Sequence, residues 1–191
     1  SGIWINEGSA LSAVGAKFTS YKDDAFLGDT NADGGLTSPA DGEKGHENPF
    51  AKLPLLGDDR AALIIHRGKT GYLVLNRYPY NPGHILSVPY RQVADIVDLS
   101  VEERAELFEM VVLAKKAVQR EMNPDGFNIG VNLGSASGAG IPTHLHLHVV
   151  PRWRGDNNFM SVIGQTRTLS EALGKTWERL SKACREITAN A

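Results

Sequence analysis

The chain has 191 residues, of which 41% are hydrophobic and 22% charged, with a formal net charge of -2. That composition can bury a core, and it excludes a fully disordered or collagen-like chain. No run of apolar residues is long enough to cross a bilayer as a helix. The small net charge weighs against a general binder of nucleic acid or anionic membrane. The single cysteine, Cys184, can form neither an internal disulfide nor a CxxC metal knuckle, which suits a reduced, cytoplasmic protein.

The first part of the chain reads differently from the rest. Eight of the 20 glycines fall within residues 1–50, and residues 28–49 carry almost no apolar side chains. Such a stretch does not build a core by itself. Leu11, Val14 and Phe18 recur at helical spacing, which predicts a short amphipathic helix over 9–20. Trp4 and Phe26 are candidate anchors onto the remainder. Residues 1–58 are therefore read as an N-terminal extension, and 59–191 as the main folded domain.

From residue 59 the pattern predicts alternating elements. Ala61 to Ile65 and Tyr72 to Leu75 read as buried strands joined by Arg67-Gly68-Lys69-Thr70-Gly71, a hairpin connection. A turn-rich loop, Asn76 to Gly83, leads to a third strand, His84 to Val88, stopped by Pro89. Ser100-x-x-Glu103 is a capping box opening a helix to about Met122, whose inner face carries Leu107, Val111, Ala114 and Val118. Asn123-Pro124 ends it. Phe127 to Asn132 and Leu145 to Val150 read as the fourth and fifth strands. A second capping box, Thr168-x-x-Glu171, opens a last helix to about Ile187. Hairpin-linked strands interrupted by helices give an α+β class with a mostly antiparallel five-stranded sheet.

The chemistry concentrates in Thr143-His144-Leu145-His146-Leu147-His148-Val149-Val150. Alternate residues of a strand share one face at about 7 Å spacing, so the three imidazoles form a row and the leucines point into the core. Two such histidines can hold zinc if a third ligand approaches, and His84 is the candidate for that. Upstream lies Gly134-Ser135-Ala136-Ser137-Gly138-Ala139-Gly140, whose small residues let backbone N–H groups converge on an anion. An imidazole row beside a phosphate nest points to attack on phosphorus.

His144-x-His146-x-His148 followed by two apolar residues resembles the signature of the histidine triad (HIT) nucleotide hydrolases and transferases. Asn76-Arg77-x-Pro79-x-x-Pro82-Gly83-His84-x-Leu86, Asn128 to Asn132 and Pro151-Arg152 resemble that family too, over residues 59–165. The strings Tyr78 to His84 and Pro151 to Phe159 look most like its bacterial branch of diadenosine tetraphosphate phosphorylases or hydrolases.

The resemblance implies a HIT-like fold and a homodimer whose two sheets join. It implies an enzyme that cleaves the α-phosphoanhydride of a dinucleoside polyphosphate, with water or phosphate as acceptor. His146 would be the nucleophile and form a covalent nucleotidyl-histidine. His144 and His148 would position it and donate to phosphate or leaving-group oxygens, with His84 supporting the row from a neighbouring strand. Asn76 would meet the ribose, and Asn132 the phosphate beside the nest of Gly134, Gly138 and Gly140. Val74 and Leu86 alternate suitably to line an apolar base slot. No metal or cofactor is required. The same chemistry serves adenosine phosphoramidates, and a nucleotide-binding sensor with incidental turnover is the alternative of a different class.

Three departures stand out. Where relatives often carry Gln, Ser or Thr ahead of the triad, this chain has Gly140 and Ile141, so a donor must come from the backbone or from Ser135, Ser137 or Thr143. Some branches hold a structural zinc by an N-terminal CxxC, a histidine after Pro-Tyr-Arg and the first triad histidine. Here no CxxC exists, and Pro89-Tyr90-Arg91 is followed by Gln92. That predicts no structural zinc, with the extension standing in for the lost clamp. The extension is itself the third departure, having no counterpart in the pattern.

Overall fold

The computed structural model describes residues 48–156 and 172–190. The expected helix over 9–20, Trp4, Phe26 and the Thr168/Glu171 capping box lie outside the described residues.

Chain order is α1 (Pro49–Lys52), a 3-10 turn over Leu53–Leu55, β1 (Ile64–Arg67), β2 (Gly71–Leu75), β3 (Ile85–Pro89), α2 (Val101–Met122), β4 (Gly126–Val131), β5 (Leu147–Arg152) and α3 (Leu173–Ala189). The strands form one sheet in the order β1-β2-β3-β5-β4, with every neighbouring pair antiparallel. The expected class and strand count hold.

Period-two alternation divides the sheet into two faces. Leu73, Leu75, Ile85, Leu145, Leu147 and Val149 join Leu107, Val111, Ala114 and Val118 of α2 and Leu180, Ala183 and Cys184 of α3 in the main core. The opposite face carries Ile64, Tyr72, Val74, Leu86 and Val88, covered by Phe50 of α1. Cys184 is fully buried and burial pushes its thiol up to about 12, so it acts as a small apolar side chain. Trp177 donates its indole N–H to the Ile64 carbonyl (2.8 Å) and ties α3 to β1.

α2 begins and ends where the sequence places it. Ser100 Oγ accepts the Glu103 N–H (3.2 Å) while the Glu103 carboxylate accepts the Ser100 N–H (2.7 Å). Arg91 pairs with Glu103 (2.6 Å); this hydrogen bond, with that from the Ser100 backbone, lowers the Glu103 carboxyl to about 2. Asn123 closes the helix in the left-handed region, which a short polar side chain tolerates.

Strand ends shift by one to three residues, and three of the shifts have a visible cause. β1 begins at Ile64 rather than Ala61, because Asp58 and Asp59 first wind a turn. The Asp58 side chain accepts the N–H groups of Arg60 and Ala61, the Asp58 carbonyl that of Ala62, and the Asp59 carbonyl that of Ile64. β3 includes Pro89, which faces Gly71 of β2; the β3–β5 ladder has ended at Ser87, so the missing N–H costs no bond there. β5 begins at Leu147 rather than Leu145, because the Leu145 N–H is taken by the Val93 carbonyl (2.7 Å). α3 starts at Leu173, with Ala172 at its N-cap and no side-chain cap bond.

The β1–β2 hairpin is clamped to α2. Glu106 accepts the backbone N–H groups of Lys69 and Thr70 and the Thr70 hydroxyl, at 2.5, 2.8 and 2.5 Å. Gly71 pays for this closeness with its side chain: a Cβ there would sit 2.6 Å from the Val88 carbonyl oxygen and 2.8 Å from Met110 Cε. Gly71→Ala should therefore destabilise the fold by about 1–3 kcal/mol, through overpacking against backbone. Gly126→Ala, in β4 with nothing within 4 Å, should stay within about 0.5 kcal/mol. Urea unfolding of the two variants checks the contrast.

Candidate active site

Only His148 of the row lies within β5; His146 lies in the segment that leads into it, and His144 in the bend before that, its N–H bonded back to the Ile141 carbonyl. Alternation survives that shift, since Leu145 and Leu147 face the helices while the histidines face the other way, towards Phe50. His144 is fully buried, His146 is 6% exposed and His148 is half-buried. Leu86 of β3 and Gly130 of β4 flank His148 in register.

A neutral imidazole offers one donor and one acceptor, so each ring's partners assign its tautomer. His146 Nδ1 lies 2.8 Å from the His144 carbonyl oxygen, which can only accept. His146 therefore carries its proton on Nδ1 and its lone pair on Nε2. His84 Nδ1 accepts the Tyr80 backbone N–H (3.1 Å), with the Asn76 amide nitrogen at 3.3 Å, so His84 is protonated on Nε2. That N–H donates to His148 Nδ1 (3.0 Å). His148 is then protonated on Nε2. Among the described residues, this nitrogen is one of two buried side-chain polar atoms with no hydrogen-bond partner, the other being Ser181 Oγ. A buried N–H without a partner is costly unless a ligand supplies one.

Burial disfavours the charged form of all three histidines. Desolvation lowers His144 and His146, against opposing hydrogen bonds to the Pro89 and His144 carbonyls, and the His144 charge lowers His146 further. Desolvation and the neighbouring His146 lower His148 to about 4. At neutral pH the row is uncharged.

His144 departs from expectation. Its Nε2–H donates to the Pro89 carbonyl (2.8 Å), and its Nδ1 accepts from the Asn48 amide (2.7 Å). Both nitrogens are spent within the protein, so the ring has no N–H to give a phosphate oxygen. The same partners do not fit a zinc site. The nitrogen with a free lone pair is already occupied by an amide N–H, Gln92 is exposed, and no cluster of three His, Cys, Asp or Glu is found among the described residues.

The expected base slot is also different. Val74 and Leu86 are 2% and 5% exposed, packed with Phe50, Leu53 and Ile141. They belong to a buried apolar cluster that includes Phe50. Asn76 is half-buried beside His84, its Oδ1 accepting the Tyr78 N–H (3.0 Å). Asn132 follows Val131, the last β4 residue paired with β5, on the face shared with Gly130. Gly134 and Gly138 flank a 3-10 turn with φ of +73° and +82°, and Gly140 is exposed on the approach to Ile141. Arg152 is held by Asp156 (2.6 Å) and Asn128 (2.8 Å), as an anchor for the end of β5.

The residues that sequence reasoning missed are Asn48, Phe50 and Tyr80. The Phe50 ring meets His144 edge-on at 5.7 Å and lies tilted against His146 at 4.9 Å, and Tyr80 lies tilted against His84 at 4.7 Å and parallel to His148 at 6.0 Å. Asn48-Pro49 is a legible helix start, since the Asn48 side chain caps the Phe50 N–H (3.0 Å) with Pro49 next. Nothing local marks it as a partner of a histidine 96 positions away.

The chain was compared with known proteins. The chain is 45% identical over 128 residues to a Mycobacterium tuberculosis protein named AP-4-A phosphorylase, covering 67% of this chain and 65% of that protein. It is 30% identical over 107 residues to a Schizosaccharomyces pombe bis(5'-nucleosyl)-tetraphosphatase (asymmetrical), covering 56% of each. The match thus spans less than two thirds of these relatives' own lengths. Among solved structures, a zinc-bound histidine triad family protein from Mycobacterium smegmatis shares the fold with a TM-score of 0.56 at 24% identity, covering 68% of this chain and 88% of that one. A hypothetical histidine triad nucleotide-binding protein from Sulfolobus tokodaii does so with a TM-score of 0.57 at 23% identity, covering 75% and 93%. The sequence profile of the HIT domain matches residues 59–155, half of the chain, which therefore belongs to the HIT domain family.

Proposed function

We propose that this chain is a nucleotidyl-transfer enzyme that cleaves the α-phosphoanhydride of a dinucleoside polyphosphate, of the diadenosine tetraphosphate type, through a nucleotidyl-His146 intermediate. One observation carries the reading. The bond from His146 Nδ1–H to the His144 carbonyl leaves a lone pair on Nε2, beside a second imidazole whose buried N–H lacks a partner among the described residues.

In the first step the His146 Nε2 lone pair forms a bond to the α-phosphorus, and the bond from that phosphorus to the bridging oxygen breaks. The leaving oxygen takes the electron pair and is met by the His148 Nε2–H, stabilising charge where it develops. In the second step water or phosphate attacks the phosphorus and His146 is released. With diadenosine tetraphosphate the products are ATP and AMP if water completes the reaction, and ATP and ADP if phosphate does. The 45% identical relative named as a phosphorylase favours phosphate.

Asn76 is assigned to the ribose hydroxyls, and Asn132 with the backbone of Gly134, Gly138 and Gly140 to the phosphates. His84 holds His148 in its donor tautomer. Residues 59–191 form the catalytic domain in this reading, and residues 1–58 an extension whose last part, from Asn48, is packed on the histidines. The protein acts without a resident metal, as a homodimer joined through its sheets, in the cytoplasm. The exposed Ile129 on the edge strand β4 supports that dimer.

His146→Ala should abolish turnover of diadenosine tetraphosphate while retaining nucleotide binding; a variant with wild-type turnover sinks the mechanism. Product analysis with and without added phosphate should show ADP only when phosphate is present, whereas AMP without phosphate would assign water as the acceptor. Elemental analysis of the purified protein should find no stoichiometric zinc, and chelators should leave activity unchanged.

The histidines also set a pH dependence. Their folded values lie below the unfolded value near 6.5, so between that value and the folded one the unfolded chain binds more protons. Stability is full above pH 6.5 and falls as pH drops towards 4, where His148 itself takes a proton. His148 alone should cost on the order of 2 kcal/mol between pH 7 and 5. Denaturant unfolding across that range checks it, and the acid limb of the activity profile should lie below that of a free imidazole because burial lowers the proton affinity of His146.

A further inference from the structure

Asn48 sits at the junction between the N-terminal segment and the histidine row, and its two amide atoms do different work. Oδ1 accepts the Phe50 N–H (3.0 Å) and caps α1. Nδ2 donates to His144 Nδ1 (2.7 Å). The first bond fixes which way round the amide lies, so the nitrogen facing His144 is a donor.

That donor selects a tautomer. His144 is fully buried, and its other nitrogen lies 2.8 Å from the Pro89 carbonyl. With the proton on Nε2, both contacts are hydrogen bonds. With the proton on Nδ1, N–H would face N–H at Asn48 and lone pair would face lone pair at Pro89. Two contacts would turn repulsive in a site where water cannot compensate. The carbonyl of this same residue accepts the His146 Nδ1–H, and Phe50, two residues after Asn48, packs against both rings.

We propose that Asn48 is a positioning residue for the reaction: its amide N–H holds His144 in the neutral Nε2–H form and the fixed orientation from which the His144 carbonyl aims His146. The catalytic part rests on the function proposed above, and the tautomer part does not. Asn48 does not touch the reacting atoms; it acts through His144. In this way the segment before residue 59 reaches the nucleophile in two links, Asn48 to His144 and His144 to His146.

The test separates cap from donor. Asn48→Asp keeps an oxygen for the Phe50 N–H and places an acceptor where the donor was. Asn48→Ala removes both, and Asn48→Gln keeps a donor on a longer stem. Nitrogen-15 NMR of the histidine side chains in the full-length protein at pH 7 should show wild-type His144 neutral and protonated on Nε2. In Asn48→Asp it should gain a proton on Nδ1, while the melting temperature stays within about 3 °C of wild type. With diadenosine tetraphosphate, Asn48→Asp and Asn48→Ala should each lose about tenfold in kcat with KM within about twofold, and Asn48→Gln should recover part of the loss.

An Asn48→Asp protein whose His144 remains neutral on Nε2, or either variant with wild-type kcat, overturns the proposal. If wild-type protein does not turn over the substrate, the proposed function fails, and the NMR arm still decides whether Asn48 sets the His144 tautomer.

Discussion

A buried imidazole has one donor and one acceptor, and the groups packed around a row of them decide on which nitrogen each lies. This constraint governs the structure around His144, His146 and His148. The carbonyl of His144 takes the His146 Nδ1–H, the carbonyl of Pro89 takes the His144 Nε2–H, and the backbone N–H of Tyr80 starts the chain through His84 to His148. Backbone groups cannot exchange donor for acceptor, so they impose the tautomers on the side chains. The result is one Nε2 lone pair at His146 and one N–H at His148 with no partner among the described residues. A nucleophile and a donor for a leaving group follow from that bookkeeping without any charged residue in the row.

The sheet makes this possible by keeping its two faces separate. Leucines and valines of β5 and its lead-in sink into the core under α2 and α3, which fixes the height and direction of the strand. The same alternation sends the histidines to the opposite face, where Phe50 packs on His144 and His146 and Leu86 lies opposite His148. Dehydration lowers their proton affinity, so the row stays neutral and His146 keeps its lone pair at neutral pH. The cost appears in stability below pH 6.5, where an unfolded chain gains protons that the folded one refuses.

Much of this was readable from local pattern. The capping box at Ser100, the stop at Asn123, the five strands and the alternation of the histidines are short-range features, and the structure reproduces them. Strand ends were not readable where a distant group captured a backbone N–H. Val93 takes the N–H of Leu145 and delays β5, and Asp58 and Asp59 wind a turn that delays β1. The roles of Val74, Leu86 and His144 changed for a related reason. Their sequence positions say which face they occupy, but Phe50 and Asn48 arrive from a segment whose composition gives no sign of where it packs.

The sequence by itself determined that three histidines share a face, that glycines precede them, and that no CxxC is available. These are matters of spacing and identity. Only the tertiary structure decided which nitrogen of each ring carries a proton, because that depends on carbonyls and amides at Asn48, Tyr80 and Pro89, each more than fifty residues away from the triad. Spacing can align imidazoles, but a lone pair is aimed only by the groups that fold up against it.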